Sequence, residues 1–91
     1  MSVAETIEAK LRAAFAPDAL EIVDQSHLHA GHAGAPKGGE SHFRVVIVSA
    51  AFAGMSRIER QRAVNRVLAE ELAGPVHALS VEARAPEEAG R

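Results

Sequence analysis

"HFRVVIVSAAFAGMSRIERQRAVNRVLAEELAGPVHALSVEAR" (residues 42–84) decides the fold. It opens on HFRVVIVS (42–49), where Phe43, Val45 and Ile47 fall on one side of an extended chain and Val46 and Val48 on the other. A strand apolar on both faces belongs at the centre of its sheet. AAFAG (50–54) reads as a connector closed by Gly54. Ser56 followed by Glu59 is a capping box. It starts a helix predicted over 57–72, with Val64, Leu68 and Leu72 as its buried line and Ile58 and Val67 at the edges. Gly74 and Pro75 stop that helix. VHALSVEAR (76–84) then alternates as a strand, with His77, Leu79 and Val81 in phase on its apolar side. Strand, helix and strand make a parallel pair with a helical crossover, which is expected to be right-handed.

Upstream, Ser2 and Glu5 form another capping box, and Val3, Ile7, Leu11 and Phe15 recur every four residues as one helical stripe. Glu8 and Arg12 can pair on the outer side, and Pro17 and Asp18 end the helix. ALEIVDQS (19–26) reads as a strand that loses its apolar content at Asp24, most simply antiparallel to the central one. The order is αββαβ: a single α+β domain over 1–84, a three-stranded mixed sheet with both helices on one face, and a tail, APEEAGR (85–91), expected to fray.

The chain has 91 residues, 47% of them hydrophobic and 24% charged, a globular balance for one small core. No apolar run reaches membrane-spanning length, and the start is too charged for a signal peptide, so a soluble, cytoplasmic protein is expected. Cysteine is absent, which excludes disulfides, thiol catalysis and thiolate ligands from this chain. A net charge of −2, no tryptophan or tyrosine and three phenylalanines supply little for nucleic-acid binding or base stacking.

HLHAGHAGAPKGGESH (27–42) concentrates four of the five histidines and four of the seven glycines. Its length and glycines fit a solvated loop. The glycines sit in no phosphate-binding frame, and no helix follows them. His29 and His32 have the chemistry for zinc but lack acidic or thiol ligands nearby. Asp24, Ser26 and His29 lie close in sequence, yet nothing supplies the geometry or oxyanion hole of a triad. Arg57, Arg60, Arg62 and Arg66 fall within ten residues, with Arg62 and Arg66 on one face at i,i+4. With Glu59 and Glu70 beside them they read either as a solvated, ion-paired face or as a phosphate-contacting one. No catalytic constellation appears, and the chain reads as a binding protein, not an enzyme.

Over nearly its whole length the sequence resembles the BolA family. The match is carried by ESHFRVVIVS (40–49), the FxG of Phe52 and Gly54, AEEL (69–72) and VHAL (76–79). The resemblance implies a fold like a class II KH domain. It also implies partnership with a monothiol glutaredoxin, sharing a [2Fe–2S] cluster that the isolated chain would not hold. A second family role is DNA-binding control of morphology and stress responses, for which Arg60, Arg62 and Arg66 are the candidate contacts; the same arginine face could instead dock an acidic glutaredoxin surface. The family's C-terminal cluster ligand is the histidine of VHAL, His77. Read from the residues alone, His77 is instead a satisfied histidine at a strand start. The second ligand comes from the loop between the first two strands. Counting from VDQS selects His29 and counting back from ESHF selects His32, with His29 slightly favoured, His27 less so and His42 structural. The glutaredoxin cysteine and glutathione would add two sulfurs. The family's usual Arg-His-Arg is Arg60-Gln61-Arg62 here, and a role needing imidazole at Gln61 is in doubt. The GxxG clamp of true KH domains is missing. The free protein is expected to be a monomer or weak homodimer, with DNA as a second partner and no membrane.

Overall fold

The computed structural model describes residues 2–25 and 42–89. The first helix, α1 (Val3–Phe15), starts at the Ser2–Glu5 capping box. Ile7 and Leu11 are fully buried, Val3 and Phe15 pack beside them, and Arg12 reaches Glu8 at 2.9 Å on the outer side. Strand β1 (Ala19–Asp24) runs antiparallel to β2 (His42–Val48), with Leu20 opposite Ile47 and Ile22 opposite Val45. A single 3-10 turn (Ala50–Phe52) follows. Gly54, at φ 79°, makes the left-handed bend that an L side chain resists. Helix α2 (Arg57–Val67) starts at the Ser56–Glu59 capping box. Strand β3 (Ala78–Arg84) lies parallel to β2, pairing Phe43 with Leu79 and Val45 with Val81. The sheet order β1-β2-β3 puts the doubly apolar strand in the middle, as its sequence requires.

The core lies between the sheet and the helices. Phe43, Val45 and Ile47 of β2 meet Ile7, Leu11, Phe52, Val64 and Leu68, all essentially without solvent contact. Each such side chain contributes about 1.5–3 kcal/mol on leaving water. Ser49, buried just past β2, ties three elements together. Its hydroxyl donates to the Phe15 carbonyl at 2.6 Å and accepts from the Ala51 N–H at 3.1 Å, while its own N–H donates to the Arg84 carbonyl.

Four expectations need correction. The helix over 57–72 is two helices, α2 and α3 (Ala69–Ala73), with a bend at Leu68 (φ −101°, ψ 22°). The backbone bonds from Leu68 to Val64 and from Leu72 to Leu68 persist, so the chain bends without unwinding. Past the bend Glu71 turns inward to Lys10 of α1, with both carboxylate oxygens within 3.0 Å of Nζ, and Leu72 is only half-buried. Ile58, expected at the edge of the buried line, is 62% exposed. The third strand begins at Ala78, not residue 76. Lastly, Pro86–Ala89 form a short helix, α4, where fraying was expected. Glu88 holds it by accepting from the Ala85 N–H and the Arg60 guanidinium.

Candidate functional site

Parallel pairing of β2 and β3 brings their first residues together, and the end of β1 arrives at the same place. The Gln25 N–H donates to the His42 carbonyl at 2.7 Å, closing the base of the loop between β1 and β2. His42 pairs with Ala78 in the sheet register, so the residue just before β3, His77, lies at that base. The His42 and His77 rings stack with centroids 6.3 Å apart and planes 22° from parallel, within the range of an offset ring pair.

His77 is exposed. Strand parity had turned it toward the apolar side, but the strand has not yet begun at residue 77. Val76 occupies the core position instead, 2% exposed, with its N–H donating to the Glu71 carbonyl at 2.9 Å. With Val76 so anchored, His77 is left outside with its imidazole free to meet a ligand. His29 and His32, and with them His27, lie outside the described residues. Among the described residues no three histidine or carboxylate side chains converge as a metal site. His42 was set aside as structural by the sequence reading. The signal that it neighbours His77 was the parallel register, which sets the starts of VHAL and HFRV side by side.

Arg57 and Arg60 lie at the other end, and Arg62 and Arg66 follow along α2. The first turn of α2 sits beside the end of β3, since Arg60 donates to the Ala83 carbonyl at 3.1 Å. The same guanidinium grips Glu88 at 2.6 and 3.1 Å, and its Nε is buried without a partner. Arg60's pKa is raised, first by the Glu88 hydrogen bond, and Glu88's is lowered to about 2, first by Arg60 and then by the Ala85 N–H. Arg60 is therefore a latch for α4 and is not free to contact phosphate. Arg62 and Arg66 are exposed and, like Arg57, form no ion pair among the described residues. The expected pairing with Glu59 and Glu70 does not form. Glu59 turns back to accept the Ser56 N–H at 2.7 Å, and Glu70 lies 3.9 Å from Lys10. Gln61 donates to Asn65 Oδ1 at 3.1 Å, a partner on its own helix.

A three-stranded mixed sheet with helices packed against it, and a histidine exposed just before β3, define a small α+β domain of αββαβ order. The family described as BolA-like protein matches residues 11–88. A Sinorhizobium protein known by its place in the cobS 5' region is 55% identical over 92 residues, spanning 100% of this chain and 99% of its own length. The Escherichia coli DNA-binding transcriptional regulator BolA is 49% identical over 81 residues, 89% of this chain and 73% of that protein. Mouse BolA-like protein 1 is 50% identical over 84 residues, and the chain spans 58% of its length. The solved BolA domain of SufE1 from Arabidopsis thaliana superposes with a TM-score of 0.86 at 41% identity, covering 97% of this chain and 96% of that one. The chain belongs to the BolA-like family. No helix among the described residues is long and apolar enough to cross a membrane.

Proposed function

We propose that this protein is a non-enzymatic, cytoplasmic partner of a monothiol glutaredoxin, and that the two share a [2Fe–2S] cluster as cargo in cluster trafficking or iron and redox regulation. The observation that carries the reading is the exposed His77 imidazole at the closed base of the β1–β2 loop, stacked on His42. His77 supplies one nitrogen, and His29 or His32 the other. Four Cα-to-Cα steps lead from Gln25 to His29, which bounds its Cα to about 14 Å from that of Gln25 by covalent geometry alone. A cysteine-free chain has only nitrogen and oxygen to offer iron, so the thiolates come from the glutaredoxin cysteine and glutathione. Imidazole ligation raises the potential of a [2Fe–2S] centre relative to an all-thiolate one. The chain's own part is to hold an imidazole outward just before the start of β3 and to bring a second from the loop.

The test is anaerobic co-purification with a monothiol glutaredoxin and glutathione, read by visible absorption and circular dichroism. A one-to-one cluster-bridged heterodimer is expected, with its distinct spectrum lost in His77→Ala. Single His29→Ala and His32→Ala changes then name the loop ligand. An unchanged spectrum in His77→Ala would sink the assignment.

A second reading, DNA contact through α2, is favoured by the exposed guanidinia of Arg62 and Arg66 one turn apart. It loses Arg60 to Glu88, and a net charge of −2 gives it little long-range attraction.

A further inference from the structure

The outer face of α2 carries an apolar side chain that DNA contact does not use. Ile58 is the large apolar residue left exposed among the described residues, at 62%. Ile58, Arg62 and Arg66 follow at i, i+4 and i+8, so they form one ridge along the helix. Beside that ridge lies a shallow groove of about 310 Å³, lined by Met55, Glu59, Arg62, Ala63 and Arg66. Met55, half-buried against the core, and Ala63 give the groove its apolar lining, and Arg62 and Arg66 its cationic side chains. Glu59, its one carboxylate, is bound to the helix start; the Ser56 N–H lowers its pKa and keeps it directed there. Arg62 and Arg66 are thus left without carboxylate partners among the described residues.

We propose that this ridge and groove dock an acidic protein segment that carries a central apolar side chain, a partner separate from the one that meets His77. Charge complementarity selects an acidic occupant. The exposed isoleucine selects a protein over a nucleic-acid backbone, because a phosphate chain gains nothing from an aliphatic neighbour, whereas a buried leucine-sized contact adds affinity. The ridge begins at the end of the sheet away from His77. Arg60 places the first turn of α2 at the Ala83 end of β3, and His77 precedes its other end. Six residue steps at about 3.3 Å put those ends roughly 20 Å apart.

The experiment uses the full chain and two acetylated, amidated peptides of equal charge, with three glutamates on each side of a leucine or of a serine. A short DNA duplex is the third probe. Binding is read at the Ile58 methyl and at the Arg62 and Arg66 Nε–H resonances at fixed ionic strength. The leucine peptide should saturate these signals and bind roughly tenfold more tightly than the serine peptide. Ile58→Ser, checked for an intact fold by its amide spectrum, should erase that advantage and leave the serine peptide's affinity unchanged. Arg62→Ala with Arg66→Ala should weaken both peptides. Equal binding of the two peptides overturns the proposal. So does duplex binding that exceeds both peptides and is indifferent to Ile58→Ser, which would assign the face to nucleic acid.

Discussion

Changing Arg60 to Gln should release Glu88, and the shift can be followed at a single carboxyl carbon. In the folded chain the Glu88 carboxylate accepts from Arg60 Nη1 and Nη2 at 2.6 and 3.1 Å and from the Ala85 N–H at 2.7 Å. Together these hold its pKa at about 2, below the ordinary 4.5, with the Arg60 bond the largest cause and partial burial opposing it. Arg60→Gln removes the largest cause and leaves the Ala85 bond. Glu88 should then titrate above 2 but still below 4.5. Arg60→Lys should restore less than its charge suggests, because an ammonium cannot reproduce the two-pronged fork. The assay is a carbon-detected pH titration of the Glu88 side chain, with amide exchange at Ala85 and Glu88 as the structural readout. A carboxylate whose pKa is lowered on folding contributes stability that is complete above the unfolded value of 4.5 and is lost as pH falls through about 2. Residues 85–88 should therefore loosen across that window in the wild-type chain and begin to loosen at a higher pH in Arg60→Gln, where the Ala85 bond acts alone. A wild-type Glu88 that titrates near 4.5, or one indifferent to Arg60→Gln, refutes the latch.

Ser49→Ala should cost about 2 kcal/mol, since it removes one hydrogen bond to the Phe15 carbonyl and the cap on Ala51 within a buried site; in a domain of this size that is roughly 10 °C in Tm, and a fall under about 2 °C would show that water replaces the hydroxyl. Lys10→Met should lower Tm more than the double change Lys10→Met with Glu71→Leu, because the single change leaves the inward-turned Glu71 carboxylate without its cation while the double change leaves no charge there; the reverse order in thermal melts would mean that Glu71 simply swings to water.

The framework was legible because both capping boxes and the alternation of HFRVVIVS are local signals. What escaped the sequence depends on contacts between distant residues. The bend at Leu68 falls in a run of good helix formers, and it accompanies a pair between Lys10 and Glu71, sixty-one positions apart. The tail looked loose because Pro86, Glu87 and Glu88 have no apolar stripe, and its anchor is an arginine on another helix. That same contact engages Arg60, while Arg62 and Arg66 stay exposed. His77 was placed on the apolar side by extending strand parity two residues before β3 begins, where Val76 and not His77 takes the core position.

The histidine end of the molecule follows from topology more than from any single side chain. In a sheet ordered β1-β2-β3, with β2 antiparallel to β1 and parallel to β3, the loop after β1, the start of β2 and the residue before β3 must lie at one end. The connector after β2 and the start of α2 must lie at the other. A ligand pair drawn from the loop and from VHAL therefore needs only the strand register to meet, with no enclosing cavity and no buried charge. On the proposed reading, a chain without cysteine would offer iron two nitrogens from segments forty-five or more positions apart. It also separates the two ends under mutation. Ser49 lies just past the last residue of β2, at the far end from His77. A destabilising change there should lower Tm while leaving the cluster spectrum of the surviving folded protein unaltered, whereas loop changes at His29 or His32 should do the reverse. Coupled loss of both properties from either end would mean that the ligand histidines are positioned by the whole core and not by the register of three strands.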